Sequence, residues 1–281
     1  MDLLEATSTA QTPASFLSDA GKIFATFDER TQDSGNVSFG VEAQGHRFFV
    51  KTAGLPTNSA PLSHEARVAW LRNATRLSAA LHDPALCQLK NVIESPHGPM
   101  LVYEWVAGEL IGVPRARRED PASAFVRFKR LPLSELLAAL GEVFRVHAAL
   151  CARGWIACDF YDGAMMYDFA HRKIKLMDLD LYRAGPFLND MGRMFGSTRF
   201  MAPEEFVKGA QIDSATTVFT MGRCIDVFLT DRIEQDGSSE LGSLIRVAER
   251  ACREERETRW PSMNEFLSEW QRAVALTARA V

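Results

Sequence analysis

One lysine and four aspartates stand out in this chain by their surroundings. Lys51 closes the apolar run Phe49-Val50-Lys51. Asp159 ends Gly154-Trp155-Ile156-Ala157-Cys158-Asp159, Asp162 follows it, and Asp178 and Asp180 flank a leucine in Met177-Asp178-Leu179-Asp180. A lysine is a compact point charge for anions. Carboxylates take up protons in acid–base chemistry or supply the oxygen ligands that a hard cation such as Mg²⁺ takes. Two further patterns share the chain: Leu101-Val102-Tyr103-Glu104-Trp105-Val106-Ala107-Gly108-Glu109, and Gly196-Ser197-Thr198-Arg199-Phe200-Met201-Ala202-Pro203-Glu204. Each is weak alone. A strand lysine is usually a solvent-facing charge, and aspartates are common turn formers.

The elements that must carry these residues follow from hydrophobic spacing. Residues 21–29, 37–43 and 46–53 are β-compatible. A turn cluster, Gln32-Asp33-Ser34-Gly35-Asn36, separates the first two, and Gln44-Gly45 splits the last two as a hairpin turn. A three-stranded antiparallel meander is expected. Residues 65–82 have apolar positions at helical spacing, and strands are expected over 87–95 and 98–106. From there the pattern is mostly helical. A long amphipathic helix over 131–154 ends at Gly154, and a short strand pair covers 164–168 and 173–178. Helices are expected near 203–208, 214–230, 239–253 and 262–279. A β-rich first third and a helical remainder predict an α+β protein with two lobes: a leader over 1–20, a smaller lobe over 21–106 holding an antiparallel sheet and one helix, and a larger helical lobe over 107–281.

Composition narrows the classes. The 281 residues are 47 % hydrophobic and 24 % charged, ordinary globular usage. Net charge is −4, which gives no general attraction to nucleic acid or anionic lipid. No apolar run approaches the roughly 18–20 residues that span a bilayer, and residues 1–20 lack the basic-then-apolar order of a signal peptide. Five cysteines without CxxC spacing argue against a disulfide framework or a zinc site. They point to a reducing compartment, and a cytoplasmic protein is expected. The mixed-sign runs Arg115–Asp120 and Arg253–Glu257 are expected to be solvated faces.

In their order and spacing, the four patterns resemble the signature set of the serine/threonine protein kinases. The resemblance runs from about residue 21 to 280. GSTRFMAPEE is its most specific stretch and is similar to the end of the activation segment. It implies a bilobal kinase-like fold, with ATP and Mg²⁺ (or Mn²⁺) as ligands and a protein substrate or binding partner. Lys51 would hold the α and β phosphates, partnered by Glu65 or with Asn73 as its neighbour. Gly35 and Gly40 would stand for two glycines of the phosphate loop, although a different register puts the loop tip at Ser34-Gly35-Asn36. Glu104 and Val106 would meet adenine through their backbones, Tyr103 would guard the back of the pocket, Glu109 would bond the ribose, and Met166 would pack under the ring. Asp159 would accept the substrate hydroxyl's proton, Ser197 would bond that aspartate, and Asp178 would hold metal. Arg259, in ETRWPSMNEF, is expected to pair with Glu204, since one partner alone in a helical lobe is costly.

The sequence also departs from that pattern. His-Arg before the catalytic aspartate is Ala157-Cys158, so there is no cation there to receive an activation-segment phosphate. The catalytic-loop lysine is Tyr161, and the asparagine for the second metal is Ala164, which cannot ligate. D-F-G becomes Asp178-Leu179-Asp180, and the aspartate of a later helix is Thr217. Asp162 or Asp180 is expected to replace the missing metal ligand. Three functions stay open: an atypical ATP-dependent serine/threonine protein kinase-like phosphotransferase; a pseudokinase serving as a nucleotide-binding or protein-interaction module; and a small-molecule phosphotransferase. The intact Phe200–Glu204 stretch argues against the last.

Overall fold

The computed structural model describes residues 2–30, 34–57, 62–236 and 241–280. Gln32 and Asp33 of the expected turn, and the first two residues of the helix expected over 239–253, lie outside them. The fold is α+β, with a five-stranded antiparallel sheet and, among the described residues, seven α-helices. The chain divides into two compact units, Met1–Ala107 and Gly108–Val281.

The first unit runs α1 (Pro13–Ala20), β1 (Lys22–Phe27), β2 (Val37–Ala43), β3 (His46–Thr52), α2 (His64–Ala80), β4 (Leu89–Ile93) and β5 (Met100–Glu104). Its sheet has the order β1-β2-β3-β5-β4. The β2–β3 hairpin turns on Gln44 and Gly45, both at positive φ (53° and 77°), the combination a tight two-residue hairpin turn demands. Strand alternation gives the sheet two different faces. Phe48 and Val50 join Phe39, Val41, Val102, Phe16 and Leu17 in one apolar cluster, while Leu101 packs with Leu71 and Ala74 of α2 in another.

The expected leader is therefore part of the fold, and among its described residues this unit holds two α-helices rather than one. Thr12 caps α1 by accepting the Ser15 amide, and Pro13 starts the helix. Phe16, Leu17 and Leu3 are completely or almost completely buried. Each such side chain is worth about 1.5–3 kcal/mol in area removed from water. The Asn91 side-chain amide donates to the carbonyls of Leu3 and Ala6 and ties the segment to β4.

The second unit runs β6 (Glu109–Leu110), α3 (Ala124–Lys129), α4 (Leu133–Cys151), β7 (Trp155–Ile156), β8 (Met165–Asp168), β9 (Lys173–Leu176), β10 (Arg183–Ala184), β11 (Phe187–Leu188), β12 (Gln211–Ile212), α5 (Ser214–Asp236), α6 (Gly242–Ala251) and α7 (Met263–Ala280). The expected helix near 203–208 is a single 3₁₀ turn, Pro203–Phe206. Its core is aromatic: Phe144 of α4 meets Phe266 and Trp270 of α7 edge-on, and Phe128 meets Phe228 and Tyr167 in the same way.

Candidate functional site

In the first unit, Lys51 lies on β3 directly across from Ser38 on β2 and Leu101 on β5. It therefore shares the sheet face that α2 covers. It is only 8 % exposed, unusual for a residue type that is seldom buried unless paired. Helix α2 turns Arg67, Leu71, Ala74 and Leu77 inward. Glu65 sits exposed in its first turn, where its own helix-end amide and Ser63 hold its carboxyl below the usual range. Asn73 accepts a hydrogen bond from Arg76. Arg67 is wholly buried and donates to the carbonyls of Ala53, Leu55 and Leu62, which pins the β3–α2 connection.

Gly35 lies in the β1–β2 connection with φ 80°. Gly40 does not. It lies inside β2, where an added Cβ would come within 2.7 Å of the Phe24 ring, so close packing explains it. Ser34 and Asn36 lie beside Gly35 in the same connection. Glu104 ends β5 opposite Phe48 and lies 3.6 Å from the Lys90 ammonium. Val106 follows, half-buried, just before the boundary at Ala107.

In the second unit two loops are bound at both ends. One runs from β7 to β8 and carries Asp159 and Asp162. The other runs from β9 to β10 and carries Asp178 and Asp180. Ile156 pairs with Arg183 at one end and Met165 with Leu176 at the other, and the Met177 amide donates to Ala164 O. The loops must therefore run side by side. Among the described residues four non-glycines have positive φ. Gln44 and Arg172 sit in hairpin turns; the other two are Asp159 (59°) and Asp178 (58°). Backbone held in this sparsely occupied region concentrates at functional sites, and aspartate tolerates it better than most residues.

Other contacts brace these loops. Thr217 on α5 accepts the Ala157 amide at 3.1 Å. His147 on α4 is fully buried with its ring 2.7 Å from Val143 O and 2.6 Å from the Tyr182 hydroxyl. Burial holds its pKa down to about 4. A neutral ring facing a carbonyl must carry its proton there, on Nδ1, so Nε2 accepts from Tyr182. Burial raises the Tyr182 phenol further from ionisation.

The four carboxylates stand in different surroundings. Asp178 is exposed, Asp159 half-buried, and Asp162 and Asp180 buried. Asp162 Oδ2 lies 2.5 Å from Arg199 Nη2. A carboxylate already neutralised by a guanidinium is a poor ligand for a second cation, so Asp162 does not fit the metal role expected of it. Asp178 and Asp180 carry carboxylate oxygens, the hard donor type that a divalent ion takes. Among the described residues, no three His, Cys, Asp or Glu side chains meet as a metal cage. Glu109 and Met166 lie on the adjacent strands β6 and β8, with Leu110 opposite Met166. Both Glu109 oxygens lie within 2.8 Å of Arg127 Nη1.

The segment after β10 is anchored by a buried ion pair. Glu204 and Arg259 pair as expected, Oε1 to Nη1 at 2.7 Å and Oε2 to Nη2 at 3.0 Å. Burial works against charge on Glu204, yet Arg259 and Thr216 hold its carboxyl below the usual range. Its neighbour Glu205 accepts the Ala202 amide, but burial, with repulsion from Glu204 and Asp159, pushes its carboxyl up to about 8. Glu205, Asp159, Gly196, Phe200 and Met201 line one crevice. Among the described residues, no helix is long and apolar enough to cross a membrane.

No protein-family model matches the chain, and no curated protein matches it either. The sequence reading missed Thr217's backbone contact, the His147–Tyr182 pair, Arg67 and Arg199. For Arg199 a signal was present: a cation inside the GSTRFMAPEE stretch, opposite a loop with a surplus aspartate.

Proposed function

We propose that this protein is an ATP-dependent phosphotransferase of the serine/threonine protein-kinase type with a reduced catalytic loop. The observation that carries the reading is the pair of clamped loops that present Asp159 and Asp178, each in a left-handed backbone conformation. Phosphoryl transfer asks little covalent chemistry of a protein; positioning and charge neutralisation do most of the work. In this reading Lys51 binds ATP phosphates. Asp159 takes the proton from the acceptor hydroxyl as its oxygen forms the bond to the γ-phosphorus and the bond to the ADP oxygen breaks. Asp178 and Asp180 would hold Mg²⁺ or Mn²⁺, which supplies neutralisation of the phosphate charge. Glu104 and Val106 contact adenine through their backbones, with Met166 beneath the ring. Glu109, to reach a ribose, must share its carboxylate with Arg127.

A second reading is a pseudokinase that binds nucleotide or a protein partner without transfer. Two observations favour it: Ala164 has no donor, and Asp162 is taken up by Arg199.

The two readings separate in one set of assays. Thermal stabilisation by ATP is measured with and without Mg²⁺ or Mn²⁺, then transfer of the γ-phosphate to the protein itself and to generic protein substrates. The phosphotransferase reading expects metal-dependent stabilisation that Lys51→Ala removes, and transfer that Asp159→Asn removes while binding stays. Binding without transfer would leave the pseudokinase. Neither binding nor transfer with either cation would end both nucleotide readings.

A further inference from the structure

We propose that Arg199 is a positioning residue: through Asp162 it locks the β7–β8 loop to the segment 187–204, so that the site is assembled without a phosphate on that segment. The proposal rests on the phosphotransferase reading and names how that site would be held.

The ion pair is built into the interior. The Asp162 side chain is 2 % exposed and the Arg199 side chain 24 %, with 2.5 Å between Oδ2 and Nη2. Charges so placed cannot exchange their partner for water at little cost. Each end is anchored independently. Asp162 opens the 3₁₀ turn Asp162–Ala164; its carbonyl accepts the Gly112 amide, and Ala164 O accepts the Met177 amide next to Asp178. On the other side, Arg199 O accepts Nε of Arg223 on α5, whose guanidinium pairs with Asp226. The Arg199 guanidinium also lies over the rings of Phe200 and Phe125, 5.1 and 5.6 Å from their centroids. A movement of the segment therefore pulls directly on the loop that carries Asp159.

This arrangement reverses the usual logic of a charge switch. A phosphate orders a segment when a cation waits for it. Here the position before Asp159 is the neutral, buried Cys158, and the cation lies in the segment itself, already matched by a carboxylate on the loop. The fixed charge of Asp162 takes the part a phosphate would otherwise play.

Amide hydrogen exchange on the full chain tests this in the wild type, Asp162→Asn, Arg199→Gln, the double variant and Arg199→Lys. Exchange in residues 157–164 and 194–203 is expected to rise roughly tenfold in each single variant and no further in the double variant, since the two act as one unit. Arg199→Lys should restore most of the protection, phosphatase treatment of the wild type should change nothing, and amides of α4 should stay protected throughout. In transfer assays Arg199→Gln should lower kcat while KM for ATP stays within about twofold, the pattern of lost positioning. The proposal is overturned if Arg199→Gln leaves residues 157–164 as in the wild type, if α4 loosens in step, if phosphatase loosens the segment, or if KM rises at unchanged kcat. ATP-dependent stabilisation of the wild type judges the phosphotransferase reading separately. Its absence, beside coupled exchange in the two segments, would remove that reading and leave the lock.

Discussion

Arg259 grips both oxygens of Glu204 in a fork with no measurable exposure of its own side chain. It also donates to the carbonyls of Arg253, Ala215 and Glu254. One side chain thus fastens the end of the 187–204 segment to the start of α5 and to the connection between α6 and α7. Arg259→Ala strands a buried carboxylate, and removing one partner of such a pair costs about 3–5 kcal/mol. Chemical denaturation should show that loss. In a double-mutant cycle with Glu204→Gln the two changes should be strongly non-additive; additive effects would mean the pair has no energetic coupling.

The N-terminal helix offers a test in the first unit. Phe16 is fully buried against the sheet face that carries Val41 and Val50. Phe16→Ala should cost about 3–5 kcal/mol, whereas Leu4→Ala, at a side chain 44 % exposed, should stay within about 0.5 kcal/mol. Equal, small effects on the denaturation midpoint would mean that residues 1–20 are a dispensable leader after all.

How far the sequence reveals this fold depends on the range of the interaction. The Gln44-Gly45 hairpin and the β-runs around it are local signals and fall where expected. The Glu204–Arg259 pair is distant in sequence, but each partner is marked by its own motif. Helix α1 is different: it has eight residues, and its inward face is essentially Phe16 and Leu17 in a polar stretch, too short for periodicity to register. The candidate site divides in the same way. In sequence the motifs single out Asp159 and Asp178 and leave Asp162 and Asp180 as alternatives for one role. The folded chain adds the left-handed backbones of Asp159 and Asp178 and assigns Asp162 to Arg199. Those differences come from ladders and ion pairs between segments that no local pattern links.

The left-handed backbone at Asp178 has a measurable cost. An L-residue loses roughly 1–2 kcal/mol there, least for Asn and Asp. Asp178→Asn should therefore add no backbone cost while removing metal-dependent nucleotide binding. Asp178→Val, β-branched and ill-suited to positive φ, should lose about 1–2 kcal/mol more on thermal denaturation. Asp178 is exposed, so lost packing would not account for that difference, and equal stability of the two variants would dismiss the backbone argument.

Two buried titratable groups predict opposite responses to pH. Glu205 has an ordinary value of 4.5 and is pushed up to about 8 by burial. Between those values the native state keeps a proton that the unfolded state has released, so stability falls as pH rises, by up to about 1.4 kcal/mol per pH unit. His147 is held down to about 4 from 6.5, again by burial. Between those values the unfolded state holds the extra proton, so stability rises with pH. The two effects oppose each other from pH 4.5 to 6.5, and above 6.5 the Glu205 effect stands alone. Glu205→Gln keeps an oxygen to accept the Ala202 amide and removes the charge. Urea midpoints of variant and wild type should thus agree near pH 4.5 and separate steadily toward pH 8, with the variant the more stable. If the gap stays constant across that range, Glu205 is not the protonated carboxyl beside Asp159, and the crevice they share is less enclosed than its lining implies.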